Sequence, residues 1–273
     1  MPEHQKPALR NPTNYFNGLE RTDEYLGAIA KTGDRAKSLG HAASVFSERM
    51  GKDESPSIEK QQDMYAVQLL AQLPKFLEGN LAIDKDKSHT HLSKAEVDRH
   101  MTDIILFNHT LRDMIDMFPG LKVIDITRFI KTAALDMYGR NEAVYAEQST
   151  RQALVGMQNE VGLEQILWQI EGVDDVIKAT VSQERHGIDM TVAYRDQKLT
   201  LDAKASSKGV DEAYGKWLNN FSRGREGGYP IWTRINYEDF EGGFRISDER
   251  AKKLAPYIQA ELDRLYEEQS VAV

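Results

Sequence analysis

The sequence predicts an α+β protein in which an all-helical region precedes a smaller module of mixed helices and strands. Two observations support this prediction. Apolar residues recur at helical spacing over most of residues 22–170, whereas short β-branched or alternating segments follow Ile170. Asn141 is a candidate N-cap for the last helix before the strands. We therefore expect a helical region over residues 1–140 and a mixed module over residues 141–273.

The helical region contains recognisable start and stop signals. In Ser57–Leu77 the apolar residues step by three and four positions, which suits one helical face. Ser93-Lys94-Ala95-Glu96 is a capping-box pattern at the start of the next helix. Pro119-Gly120 is expected to end that helix, because proline cannot continue it.

The C-terminal module is predicted to run helix, three strands, helix, strand, helix. Its first helix extends from Asn141 to Ile170, with Gly156 and Gly162 as candidate breaks. The predicted strands are Val173–Val181, Ile188–Tyr194, Leu199–Ala205, Ile231–Asn236 and a short fifth one at Phe244–Ile246. The later predicted helices are Val210–Ser222 and a last helix that Ser247 caps.

Composition narrows the classes of function. The chain has 35 Lys and Arg against 43 Asp and Glu, a net charge of −8, which argues against a polybasic nucleic-acid coat protein but permits an acidic metal site. It has no cysteine, which excludes disulfides, zinc–cysteine sites, iron–sulfur clusters and thiol catalysis. No stretch approaches 18 uninterrupted apolar residues, and Met1–Asn17 lacks an apolar signal core. We therefore expect a cytoplasmic protein that does not enter a membrane.

The second and third predicted strands form a hairpin. The polar tip, residues 195–198, suits a loop of two or four residues. Either loop places Tyr194 opposite Leu199, and therefore Thr191 opposite Asp202 and Asp189 opposite Lys204. This register is expected because a slip of one residue would send the apolar side chains of one strand to the wrong face.

This register gathers Asp189, Asp202 and Lys204 on one face of the sheet and the apolar side chains on the other. An incidental ion pair on a solvated hairpin is the simpler interpretation. The apolar character of both strands instead indicates a buried sheet, where unpaired charges are costly. Two carboxylates are suitable ligands for Mg²⁺, which promotes phosphodiester hydrolysis by activating water, and a nearby lysine can orient that water. The pattern therefore favours a functional site.

The arrangement resembles the PD-(D/E)XK nuclease superfamily, which has the restriction-endonuclease-like αβββαβ core. Asp189 matches the acid of the second core strand, and Asp202-Ala203-Lys204 matches the acidic-x-Lys triplet of the third. Ile188 stands where the name-giving proline would be. The resemblance implies that Asp189, Asp202 and the Ala203 carbonyl bind Mg²⁺, with Mn²⁺ as the alternative ion, and that Lys204 positions the attacking water.

The same resemblance implies a further catalytic glutamate on the preceding helix. Glu160 and Glu164 are the candidates, because they lie only about 40° apart around a helix and between two apolar flanks. We rank Glu164 first, since the surrounding Gly-Leu-Glu is similar to the helix of the family, and Glu160 second.

Residues 204–234 carry six Lys or Arg and three Asp or Glu, in contrast to the acidic chain as a whole. We expect part of this cationic surface to contact the phosphate backbone, although an amphipathic helix with core aromatics would also explain it. The candidates for these contacts are Lys208, Lys216, Arg223 and Arg225.

The resemblance implies a metal-dependent DNA endonuclease of restriction or phage-defence type that acts on double-stranded DNA. The helical region would recognise substrate, a partner or a second subunit of a homodimer. Two alternatives stay open. In the first, the chain would be a catalytically inactive nuclease-fold subunit for nucleic-acid binding or assembly. In the second, it would be a mainly helical protein-interaction module.

Overall fold

The computed structural model describes residues 58–86 and 92–271 of the 273-residue chain. The chain divides into two compact units, Met1–Thr150 and Arg151–Val273. The division falls inside a long helix, whereas the sequence places the boundary at residue 140, before that helix. The predicted helical character of residues 22–57 lies outside the described residues.

The described part of the first unit is helical. Its helices are α1 (Ile58–Asp86), α2 (Lys94–Met117) and α3 (Val123–Tyr138), followed by the first turns of α4 (Arg140–Leu167). The rings of Phe76 and Phe107 stack with centroids 4.0 Å apart in the apolar core between α1 and α2. This core also includes the buried residues Leu69, Leu73, Leu111, Met114 and Ile115.

The predicted boundaries of α2 are confirmed. The Ser93 hydroxyl accepts from the Glu96 backbone N–H at 3.3 Å, and the Glu96 carboxylate accepts from the Ser93 N–H at 2.9 Å. These reciprocal bonds satisfy two N–H groups that have no partner within the helix. The helix ends at Met117, two residues before Pro119.

Helix α4 runs unbroken through both candidate break points. Gly156 has open space around it, so its presence imposes no bend. Gly162 is buried, and a side chain there would collide with the Ile235 Cδ1 atom. Gly162 therefore permits a close approach between the helix and the segment after the last strand.

Four strands of the described chain form one mixed sheet in the second unit. They are β1 (Val173–Lys178), β2 (Met190–Tyr194), β3 (Gln197–Lys204) and β4 (Tyr229–Trp232), in the spatial order β1-β2-β3-β4. β2 pairs antiparallel with β1 and β3, while β3 and β4 are parallel. Helix α6 (Ser207–Phe221) makes the connection from β3 to β4, and α7 (Asp248–Val271) follows the sheet. The predicted order of helix, three strands, helix, strand and helix is therefore present.

The first predicted strand ends early because a short helix, α5 (Val181–Glu184), follows it. Thr180 and Gln183 form a capping box: the Gln183 side chain accepts from the Thr180 N–H at 3.0 Å, and the Thr180 hydroxyl accepts from the Gln183 N–H at 3.4 Å. The sequence prediction missed this pattern and extended the strand to Val181.

The predicted register of the hairpin is wrong by two residues. Tyr194 lies opposite Gln197, not Leu199, and Thr191 lies opposite Thr200, because the loop contains only Arg195 and Asp196. Arg195 adopts a left-handed backbone conformation with φ 55°. Since the shift is an even number of residues, every side chain keeps its predicted face.

The predicted fifth strand, Phe244–Ile246, is also wrong. The Ile246 N–H donates to the Gln165 side-chain oxygen at 2.9 Å, and the Ile246 carbonyl accepts from the Gln165 amide at 3.2 Å. A side chain of α4 therefore satisfies the backbone groups that a neighbouring strand would otherwise bind.

The core of the second unit collects the apolar residues of the sheet and of three helices. Met190, Val192 and Tyr194 from β2 are buried together with Leu199 and Leu201 from β3. The helices α4, α6 and α7 and strand β4 contribute the buried residues Leu163, Ile166, Trp217, Tyr229, Ile231, Leu254, Ile258 and Leu262. Because side chains alternate along a strand, Asp202 and Lys204 belong to the opposite face of β3.

Among the described helices, none combines the length and the apolar character needed to cross a lipid bilayer.

Candidate active site

Asp189 and Asp202 face each other across strands β2 and β3. The last residue pair of the hairpin joins Met190 to Leu201, and Asp189 and Asp202 flank this pair. The Asp189 N–H donates to the Leu201 carbonyl at 2.8 Å, one residue out of the register of the strands, so the regular pairing ends here. The structure therefore brings the two predicted acids together at one end of the hairpin, and the predicted pairing of Asp189 with Lys204 is wrong.

Each carboxylate has a defined donor within the site. The Ala203 N–H donates to Asp189 Oδ2 at 2.7 Å, and the Lys204 ammonium donates to Asp202 Oδ1 at 2.5 Å. Asp202 is buried, whereas Asp189 and Lys204 are half-buried. These bonds fix the orientation of both acids and leave further oxygen lone pairs for a ligand.

The surroundings of the two acids penalise their charged forms. Burial raises the pKa of Asp189 well above its usual range, and the negative charges of Glu160 and Asp202 raise it further. Burial also raises the pKa of Asp202, although the Lys204 ammonium opposes this shift. Burial is therefore the main reason why both acids disfavour their charged forms, a perturbation that is common at metal-binding and catalytic sites.

Of the two helix glutamates, Glu160 acts on Asp189. Its charge is the largest contribution to the raised pKa of Asp189 after burial, which places it near that carboxylate. Glu164 lies one turn further along α4 and is half-buried, as Glu160 is. The order of preference from the sequence, Glu164 before Glu160, stays a prediction, but the electrostatics favour Glu160.

A buried hydrogen-bonded chain connects α4 to the ends of β3 and β4. The Thr233 hydroxyl donates to Asn159 Oδ1 at 2.6 Å, and the Thr233 N–H donates to the Lys204 carbonyl at 3.0 Å. Thr233 and Asn159 are both buried. Because Asn159 precedes Glu160, and Lys204 belongs to the candidate site, this chain fixes the helix relative to β3.

Gly228 allows the loop before β4 to pack against the site. A Cβ at this position would collide with the Gly187 carbonyl oxygen and would lie 2.9 Å from the Cβ of Asp202. The Thr200 hydroxyl donates to the neighbouring Gly227 carbonyl at 2.8 Å. The glycine is therefore required by a close backbone approach, which also restricts the side chain of Asp202.

The predicted cationic residues differ in their relation to the acids. Lys216 on α6 is exposed. Its charge lowers the pKa of Asp202, which places Lys216 near that carboxylate. Lys208 forms an exposed ion pair with Glu212 at 3.6 Å on the first turns of α6. Arg223 and Arg225 are exposed in the loop after α6. Their backbone N–H groups both donate to the Asn220 carbonyl.

Three residues that shape the candidate site were not predicted from the sequence: Asn159, Thr233 and Gly228. Asn159 carried a weak signal, because it is a polar residue between the apolar positions of α4. The pair Gly227-Gly228 directly before a strand indicates a close backbone approach. Thr233 carried no signal, since its role depends on contact with a residue 74 positions earlier.

The donor set fits a divalent cation held by two carboxylates. Within residues 58–86 and 92–271, no group of three or more His, Asp or Glu side chains is arranged to hold a metal ion. Mg²⁺, however, takes as few as one or two protein carboxylates and completes its shell with water and substrate phosphate. The closeness of two carboxylates, Asp189 and Asp202, at one end of the hairpin is the observation that favours such an ion.

Comparison with protein-family models, with curated proteins and with solved structures finds no match to this chain.

Proposed function

We propose that the chain is a Mg²⁺-dependent nuclease of the PD-(D/E)XK type that hydrolyses phosphodiester bonds in double-stranded DNA. The observation that carries this proposal is the convergence of Asp189, Asp202 and Lys204 on one face of the sheet, with Glu160 close to Asp189. The order of the main elements, α-β-β-β-α-β apart from the short helix α5 between β1 and β2, and the mixed sheet support the same class of protein.

In this proposal Asp189, Asp202 and the Ala203 carbonyl hold the metal ion. The ion would lower the pKa of a water molecule and neutralise charge that develops on the phosphate. The Ala203 N–H holds Asp189 in place, so the same short segment of β3 orients both acids. Glu160 adds negative charge beside Asp189 and is the helix acid that we favour for completing the site.

Lys204 has a separate role. Its ammonium lies 2.5 Å from Asp202 Oδ1, and its side chain is half-buried. From this position it would orient the attacking water and donate to the phosphate oxygens as their negative charge increases. Such a donor accelerates the reaction because it interacts more strongly with the transition state than with the substrate.

The substrate class rests on the cations around the acids. Lys216 lies near Asp202, and Arg223 and Arg225 are exposed in the loop that leads to Gly228, which packs against Asp202. Such residues position a nucleic-acid backbone without reading its sequence. Restriction or phage defence and a cytoplasmic location are the biological setting that we propose with this activity.

The test is a cleavage assay with supercoiled plasmid, linear duplex DNA, single-stranded DNA and RNA, each in Mg²⁺, Mn²⁺ or EDTA. We expect the wild-type protein to cleave duplex DNA in Mg²⁺ or Mn²⁺ and not in EDTA. Lys204→Ala should reduce the rate about 100-fold or more, as the loss of one transition-state donor typically does. Asp202→Ala removes a proposed metal ligand and should reduce the rate at least as much.

Lys198→Ala is the matched control, because Lys198 is exposed at the opposite end of the same strand. It should cleave like the wild type. Equal cleavage by all preparations would identify a contaminant and contradict the proposal. Metal-independent DNA binding without cleavage would instead support the alternative of an inactive nuclease-fold subunit.

A further inference from the structure

Arg234 lies between two aromatic rings just beyond the end of β4. Its guanidinium carbon is 4.3 Å from the centroid of the Trp232 ring and 5.1 Å from that of Tyr257 on α7. Arg234 is exposed, Trp232 is half-buried and the Tyr257 side chain is 54% exposed. Stacking on the two rings restricts the guanidinium plane and leaves the N–H groups at its edge able to bind a ligand.

The backbone of Arg234 is held in an unusual conformation. Its φ of 57° lies in the left-handed region, which a residue with a long side chain rarely adopts. The Arg250 guanidinium donates to the Arg234 carbonyl at 3.3 Å and forms an ion pair with Asp239 at 3.0 Å. The surrounding residues therefore maintain this conformation, as they often do at functional positions.

The register of the sheet places this cluster beside the candidate active site. Trp232 is the direct partner of Lys204 in the parallel pair of β3 and β4. Partners on neighbouring strands lie about 4.8 Å apart and point to the same side of the sheet. Trp232 therefore shares the face of Asp202 and Lys204, and Arg234 stacks on Trp232 at the edge of that face.

We propose that Arg234, held by Trp232 and Tyr257, binds a backbone phosphate of the nucleic acid next to the phosphate that is cleaved. This inference rests on the proposed function for the identity of the ligand. The planar fork of N–H groups suits bidentate contact with phosphate oxygens. The two rings keep the fork in one orientation, which reduces the entropy lost when the phosphate binds.

The test measures binding rather than cleavage. Fluorescence anisotropy with a labelled DNA duplex, in Ca²⁺ in place of Mg²⁺, gives the affinity of the full-length protein at several salt concentrations, and a gel confirms that the DNA stays intact. Loss of one phosphate contact should lower the slope of log K against log salt by about 0.9, which corresponds to about eightfold weaker binding at 0.1 M salt. We expect this result for Arg234→Gln.

Two further variants separate the charge from the stacking. Tyr257→Leu keeps the charge and removes one ring, so it should weaken binding about two- to fivefold at an unchanged slope. Lys198→Gln removes one exposed positive charge at the far end of β3 and should leave both the affinity and the slope unchanged.

Each outcome decides between the proposals. If Arg234→Gln binds duplex DNA with the wild-type slope, or if Lys198→Gln lowers the slope equally, the phosphate site is contradicted while the proposed nuclease stands. If the wild-type protein binds no DNA, both proposals fail. If Arg234→Gln lowers the melting temperature of the protein, the binding measurement uses Arg234→Lys instead. That variant should bind more weakly at an unchanged slope, and wild-type affinity would overturn the inference.

Discussion

At the scale of single residues, the candidate site depends on carboxylates in surroundings that disfavour their charge. Asp189 lies near the carboxylates of Glu160 and Asp202, and the Ala203 N–H and the Lys204 ammonium are the opposing groups. The sequence predicted that Asp189, Asp202 and Lys204 share a face, because alternation along two strands is enough to establish this. It could not predict how deeply each acid is buried, since burial depends on α4 and on the loop at Gly228.

The raised pKa of Asp189 predicts how stability varies with pH. A carboxyl group whose pKa rises on folding, from its ordinary value of 3.8, stabilises the folded state at low pH and loses that contribution as pH rises through the raised value. In EDTA, Asp189→Asn should therefore melt above the wild type at pH 8, by on the order of 1 kcal/mol or about 2–4 °C. The asparagine oxygen can still accept from the Ala203 N–H.

Thermal melts between pH 4 and pH 8 test this prediction. The difference between the variant and the wild type should shrink as the pH falls towards 4, where the unfolded state, with its ordinary pKa of 3.8, also begins to bind the proton. Asp175→Asn, an exposed position on β1, is the control and should show no comparable trend. A variant that melts at or below the wild type at pH 8 would show that the charge of Asp189 carries no such cost.

At the scale of elements, the hairpin shows which part of a strand pair can be predicted. The face of each side chain follows from alternation and survives a register shift of two residues. The register itself depends on α7: Tyr194 and Arg195 both donate to Asp263 at 2.6 Å, and Tyr266 donates to Asp196 at 2.8 Å. These partners lie about 70 positions away along the chain, so local sequence does not determine which residues form the two-residue loop.

The connection between α4 and the sheet yields a second prediction at this scale. Thr233→Val keeps the shape of the side chain but removes the donor to Asn159, and so leaves a buried oxygen without that hydrogen bond. We expect unfolding in urea at a lower midpoint and an unchanged slope, with a loss of about 1–3 kcal/mol in the free energy of unfolding.

Thr191→Val is the matched control, because Thr191 is half-buried within β2. Valine is well accepted in strands, so the control should change stability by less than about 0.5 kcal/mol. Equal stability of Thr233→Val and the wild type would mean that the buried chain from Asn159 to Lys204 does not hold α4 on the sheet.

At the scale of the whole molecule, the order of the main elements was predictable, although α5 was missed and a fifth strand was wrongly expected. Apolar residues at helical spacing distinguish the first region from the alternating segments that form the strands, which explains why the main order agrees. The expected domain boundary at residue 140 stays a prediction, and in the structure helix α4 contains the point between Thr150 and Arg151 at which the chain divides into two compact units. The short segment at Phe244–Ile246 looked like a strand because its apolar residues are buried, although Gln165 binds its backbone.

The net charge of −8 is also a property of the whole molecule that conceals local differences. The acids at Asp189 and Asp202 converge where Lys204 and Lys216 lie nearby. An acidic chain can therefore present positive side chains beside paired acids, and bulk charge alone does not decide whether it binds nucleic acid.

We propose that Asp189 and Asp202 together bind a divalent cation, and calorimetric titration with Mn²⁺ tests this most directly. Wild-type protein should show a saturable site whose affinity rises with pH, because the ligands must lose their protons. Asp189→Asn, which we expect to fold, should bind at least about tenfold more weakly, while Asp175→Asn should match the wild type. Equal affinity of Asp189→Asn and the wild type, or no saturable binding by the wild type, would contradict the claim.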